Sequence, residues 1–161
     1  MESLSVCLNP KREVDDTRSI IVAGFLLVFA SLANAEDLIG VADSDRAHLN
    51  YMLNCQGCHG QTGSASMDGA VPAMENYVGY FLHVPGGRAF LVQVPGSANA
   101  AISDAALAEL LNWILQTQSP EQLPSQFQPF TEAEIRDLRQ HAEIDVLGKR
   151  EKLVEAISRL G

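Results

Sequence analysis

Apolar residues fall into several distinct patterns along the chain. Residues 20–33, IIVAGFLLVFASLA, form an unbroken apolar run. Beyond it the spacing becomes helical. Residues 44–54 read as a first helix, with Asp43 or Ser44 placed to cap its N-terminus and Ala47 and Tyr51 on one face. Residues 75–83 predict a short helix with Tyr77, Val78, Phe81 and Leu82 as its apolar positions. After a turn at Gly86-Gly87, residues 91–94 read as a short extended run. Ser103 is placed to cap a longer helix, in which Ala106, Leu107, Leu110, Leu111, Ile114 and Leu115 recur at the helical period. Residues 118–130 hold Pro120, Pro124 and Pro129, which break regular helix. Thr131-Glu132-Ala133-Glu134 then forms a capping box with Phe130 set for a hydrophobic staple, predicting a helix over 132–141. A further helix begins near Asp145, with Val146, Leu147, Leu153, Val154, Ile157 and Leu160 as its apolar members.

The first apolar run differs in kind from the rest. Lys11, Arg12 and Arg18 precede it, and Ala33-Asn34-Ala35 follows it. Basic flank, apolar stretch and small-x-small site together make the pattern of a secretory signal peptide over 1–35, cleaved after Ala35. The run is short for a membrane span, which needs roughly 20 apolar residues. No span is expected once the leader is removed. At 161 residues and 47 % hydrophobic composition, the chain supports one domain with its own core. The formal net charge of −9 and the few aromatics argue against nucleic acid, whose binding needs clustered Lys and Arg.

Removal of the leader takes Cys7 with it and leaves two cysteines, Cys55 and Cys58. They stand in Cys55-Gln56-Gly57-Cys58-His59. C-x-x-C-H is the attachment signature of c-type haem. Two thiols on one helical turn reach the two vinyl groups of a haem, and the adjacent His points its imidazole at the iron. A thioredoxin-like pair expects a preceding strand, whereas the preceding segment here is helical. A zinc site wants a second ligand pair at ribbon spacing, and no other Cys remains.

Over residues 43–117 the chain resembles a class I c-type cytochrome. The resemblance implies a small all-α fold wrapped around one covalently bound haem c, with 36–117 as the cytochrome domain and 118–161 as a C-terminal extension of two helices. Ala47 and Tyr51 match the small and aromatic positions at which the family's first helix crosses its last, and Leu110 with Trp113 matches the facing pair. Pro72 resembles the family proline whose carbonyl accepts the N–H of the proximal imidazole. The family draws its second axial ligand, a Met, from the loop before the last helix, but that slot here holds Val94. The distal ligand is then Met74, His83, Met67 or His141, or the position is open. Arg88 is a candidate partner for a haem propionate, because a guanidinium matches a carboxylate fork. The extension either covers the haem domain or docks a partner.

The expected function is that of a periplasmic electron carrier, not an enzyme. It would take single electrons from a periplasmic dehydrogenase, such as an amine-oxidising flavoprotein or quinoprotein, and pass them to a respiratory-chain acceptor. Two other expectations stand beside it. One is an open-site haem protein, peroxidase-like or gas-binding. The other is a fixed cytochrome subunit of a larger oxidoreductase.

Overall fold

The structure is a computed structural model that describes residues 38–66 and 69–160. The leader reading over 1–35 lies outside these residues, as do Met67 and Asp68. Regular structure among the described residues is entirely helical. The α-helices are α1 (Ser44–Asn54), α2 (Gln56–His59), α3 (Gly87–Gln93), α4 (Pro95–Ala98), α5 (Asp104–Gln118), α6 (Glu132–Arg139) and α7 (Val146–Ser158), with short 3-10 helices at Val78–His83 and Pro120–Gln122. No helix among them is long and apolar enough to cross a membrane.

Caps fix the helix starts where side-chain chemistry predicts. Asp43 accepts from the Arg46 N–H, Ser103 from Ala106, Thr131 from Glu134 and Asp145 from Gly148. Two stretches differ from expectation. Residues 91–93 are not extended, because α3 runs through Gln93; only Val94, its C-cap with φ −60° and ψ 142°, leaves the helical conformation. Gly87, Phe90, Leu91 and Val94 share the i, i+3, i+4, i+7 spacing of one helical face, and that face is inward. The helix expected over 75–83 is reduced to the 3-10 helix Val78–His83, since Asn76 adopts the left-handed conformation (φ 54°) and delays its start.

The core is built around α5. Ala47 and Tyr51 of α1 are fully buried where α1 crosses α5, and Leu107 and Leu110 face them from the buried side of α5. Trp113 extends this contact: its ring lies 5.6 Å from Tyr51 and stacks on His48 at 5.2 Å, and its Nε1 donates to Ser44 Oγ at 3.1 Å. Asn112, fully buried on α5, ties down two loops. Its amide donates to the Gly40 and Phe130 carbonyls, both at 3.0 Å, and accepts the Phe130 N–H at 2.7 Å. The α6 helix packs on α5 through Ile135 and Phe130, while α7 joins a separate apolar cluster through Leu153 and Ile157 against Phe81, Val84 and Phe90.

Arg139 on α6 holds the loop before α5. Its guanidinium donates to the Ala98, Ile102 and Ala100 carbonyls at 3.1, 3.0 and 2.6 Å and to Asp104 at 2.9 Å. Removing one arginine would leave several partly buried acceptors unpaired, so Arg139→Ala is expected to lower the unfolding free energy by about 2 kcal/mol. Urea denaturation followed by circular dichroism checks this.

A candidate haem-attachment site

The site begins where α1 ends. Cys55 is the C-cap of α1 and its N–H still reaches the Tyr51 carbonyl, at 2.8 Å. The chain then makes one more turn, α2. The Cys55 carbonyl accepts from the Cys58 and His59 N–H groups at 3.1 and 3.0 Å. That turn is what brings the Cys55, Cys58 and His59 side chains to one place. All three line a cavity of about 350 Å³. The cavity walls are otherwise almost wholly apolar. Met74 and Val78 stand on one segment, Phe90, Leu91 and Val94 on α3, Leu107, Leu111 and Ile114 on α5, and Val146 and Leu147 on α7. Cys58 and Leu147 are exposed and mark its mouth. A larger, more open hollow of about 710 Å³ beside Arg46, Glu109 and Glu132 contains no Cys, His or Met.

Two glycine-dependent turns carry the chain from α2 back to the cavity. Gly60 leaves α2 with φ 73° and Gly63 follows with φ 79°, both in the left-handed region that favours glycine. Tyr51 donates its hydroxyl to the Gly60 carbonyl at 2.6 Å, and the Gly63 carbonyl accepts from Met74 and Glu75 at 2.7 and 3.0 Å. This pins the segment carrying Pro72 and Met74 against the motif.

The electrostatics of Cys55 and His59 point away from thiol redox chemistry and toward a neutral imidazole. Burial, helped by the neighbouring Cys58, pushes the Cys55 thiol up to about 11. A redox-active cysteine pair depends on the opposite shift, toward thiolate. Burial also holds His59 below its ordinary value of 6.5, with the Pro72 carbonyl beside the ring partly opposing the shift. The ring is therefore neutral at pH 7, the form that ligates metals. Its Nδ1 is buried, and the Pro72 carbonyl stands beside the ring without reaching good hydrogen-bond geometry. An unpaired buried nitrogen is costly, and groups of this kind gather at functional sites.

Acid should act on this fold in two stages. Because His59 is harder to protonate folded than unfolded, the apoprotein is expected to lose stability as pH falls below 6.5, until the folded value is passed. Glu109 acts lower down. Burial alone would raise its carboxyl, but the Arg46 guanidinium and the Asp43 and Ala42 N–H groups outweigh this and hold it below its ordinary 4.5. Its contribution is complete above that value and is lost as pH falls through the folded one. Urea midpoints of the apoprotein measured from pH 8 to pH 3 test both stages. His59→Gln should abolish the upper stage alone.

The structure separates the other predicted site residues. Met74 lines the cavity. His83 does not: its exposed ring donates from Nε2 to the Gln122 carbonyl at 2.9 Å. The C-terminal end of the 3-10 helix points that side chain at the Pro120–Gln122 turn and not at the cavity wall. His141 is likewise exposed, with Nδ1 donating to the Asp137 carbonyl at 3.2 Å. Arg88 is also displaced from its expected role. Its guanidinium forks onto Glu134 at 2.6 and 2.8 Å, donates to the Gln128 and Pro129 carbonyls, and lies 3.9 Å over the Phe130 ring. The carboxylate that the Arg88 fork meets is Glu134, on α6. The cation on the cavity wall is instead Arg150 of α7, for which the sequence offers no local signal.

Among the described residues no group of three or more His, Cys, Asp or Glu is placed to hold a metal ion by itself. No family model, curated protein or solved structure matches the chain.

Proposed function

We propose that the protein is a mono-haem c-type cytochrome that moves single electrons in the periplasm, from a dehydrogenase to a respiratory-chain acceptor. The observation that carries this reading is the convergence of Cys55, Cys58 and His59 on one apolar cavity. The residues fit a tetrapyrrole. Two thiols and a neutral imidazole stand at one edge, and aliphatic and aromatic walls supply the rest. When bound, the haem iron supplies the one-electron redox step. The chain does everything else. Cys55 and Cys58 would hold the haem through thioether bonds, each S–H adding across one vinyl group with sulfur to one carbon and hydrogen to the other, and His59 would be the protein's ligand to the iron. The walls from α3, α5 and α7 exclude water and lower the local dielectric. The burial of Tyr51 and Ala47 makes α1 a rigid mount for the motif.

A second reading concerns the far side of the iron. Among the described lining residues, Met74 is the only Met or His besides His59. Met74 also lies two residues beyond Pro72, whose carbonyl faces His59. If Met74 stays in the wall on that side, the iron keeps an open position and the protein binds small ligands. The absorption spectrum of the ferric holoprotein decides. A carrier with Met74 as ligand gives a low-spin spectrum with the weak Met–iron band near the red edge of the visible, and Met74→Ala converts it to high spin. A wild-type protein already high-spin, and unchanged by Met74→Ala, supports the open site.

A further inference from the structure

Six arginines lie among the described residues, and five of them have partners. Arg46 pairs with Glu109, Arg88 with Glu134, Arg136 with Glu132, Arg139 with Asp104 and Arg159 with Glu155. Arg150 alone has neither an ion pair nor a hydrogen bond to any described residue, in a chain with 20 acidic residues. It is also the only charged side chain, apart from the titratable motif itself, on the wall of the haem cavity. Arg150 is half-buried, and a guanidinium beside apolar walls is better placed when an anion meets it there.

The way α7 is seated explains how Arg150 comes to be there. Leu153 and Ile157 anchor the C-terminal part of the helix against Phe81, Val84 and Phe90. Its first turn then projects over the cavity, where Val146, Leu147 and Arg150 all reach the wall. The neighbouring Lys149 is directed elsewhere, toward Gly86. The C-terminal extension thus completes the chamber rather than merely following it.

We infer that Arg150 is the cation that binds a carboxylate of the cofactor, a haem propionate, and that α7 thereby helps set the reduction potential. This rests on the haem reading above. A guanidinium near the iron disfavours the extra positive charge of the ferric state, so its loss lowers the potential.

The test uses full-length holoprotein from a host that matures c-type cytochromes. Midpoint potentials are measured by spectroelectrochemistry for wild type, Arg150→Gln, Arg150→Lys and Lys152→Gln. Lys152 is exposed on the same helix and off the cavity, so its variant reports the general effect of losing one positive charge. The expected result is a clear downward shift for Arg150→Gln, a smaller one for Arg150→Lys and little change for Lys152→Gln. Equal shifts in Arg150→Gln and Lys152→Gln, or no shift in either, would overturn the proposal and leave Arg150 a solvated cation or a contact for another protein's carboxylate. If Arg150→Gln does not accumulate, Arg150→Lys against Lys152→Gln decides alone, and a wild-type potential for Arg150→Lys then counts against a geometric fork. Wild-type protein without covalent haem would refute the haem reading itself, a distinct outcome seen before any variant is compared.

Discussion

Replacing Cys55 and Cys58 together by Ala is expected to abolish covalent haem completely, with no colour left in the protein after acid–acetone extraction. Either single replacement should leave one thioether and a reduced holoprotein yield. The structural reason is the single turn α2, which holds both thiols at the edge of one cavity. Nothing else described can substitute, because these are the two free cysteines of the described chain. The control is Gly57→Ala. A Cβ at Gly57 meets nothing within 4 Å, so this variant should attach haem as the wild type does. If it too lost haem, the spacing residues would matter for a reason other than the positions of the thiols. Thiol chemistry sharpens the expectation. With Cys55 pushed up to about 11, that thiol stays protonated at neutral pH and is a poor nucleophile for disulfide exchange.

Gly87→Ala should be the most damaging single substitution to the fold, lowering stability by roughly 3 kcal/mol and loosening the cavity wall. A Cβ there would be driven into the Phe81 carbonyl, 2.8 Å from its carbon and closer still to its oxygen. The obstacle is backbone, so no rotamer relieves it, and α3 must separate from the Val78–His83 turn. That contact stacks Phe81 on Phe90, rings 5.6 Å apart and 11° from parallel, and both rings line the cavity. Gly86→Ala offers the comparison. Gly86 needs a left-handed backbone, φ 83°, but a Cβ there has open space, the nearest atom lying 3.6 Å away. Its cost is only the strain of that conformation, about 1 kcal/mol. Urea unfolding of the three proteins should rank wild type above Gly86→Ala and Gly86→Ala above Gly87→Ala. A wild-type midpoint for Gly87→Ala would mean that the close approach of α3 to Phe81 does not hold in solution.

Local signals made α1 and α5 legible in the sequence. Asp43 and Ser103 cap them, and Ala47 and Tyr51 of α1 are buried where the two helices meet. The capping box at Thr131 and the Asp145 cap did the same for α6 and α7. The misreadings share one cause. The valines and the flanking Gly and Pro of 86–95 look extended in isolation, and the fit of Phe90 and Leu91 against the cavity and of Val92 in the core favours the helix over 87–93. Arg88 meets Glu134, and Asn112 clamps Gly40 and Phe130, through contacts distant in sequence that no window of residues contains. The convergence of Cys55, Cys58 and His59 on one cavity was readable, because the three residues stand within one turn. The place of Arg150 was not, because it follows from how Leu153 and Ile157 seat α7.

The central claim is that this chain carries one haem bound through Cys55 and Cys58. The most direct measurement is the intact mass of the purified protein from a c-type maturation host, under denaturing conditions that strip any non-covalent cofactor. The expected mass is that of the chain beginning at Glu36 plus a single haem, with the added mass localised by proteolysis to the peptide containing Cys55 to His59. A protein whose denatured mass is that of the polypeptide alone, after expression in a host that loads a control cytochrome, would contradict it.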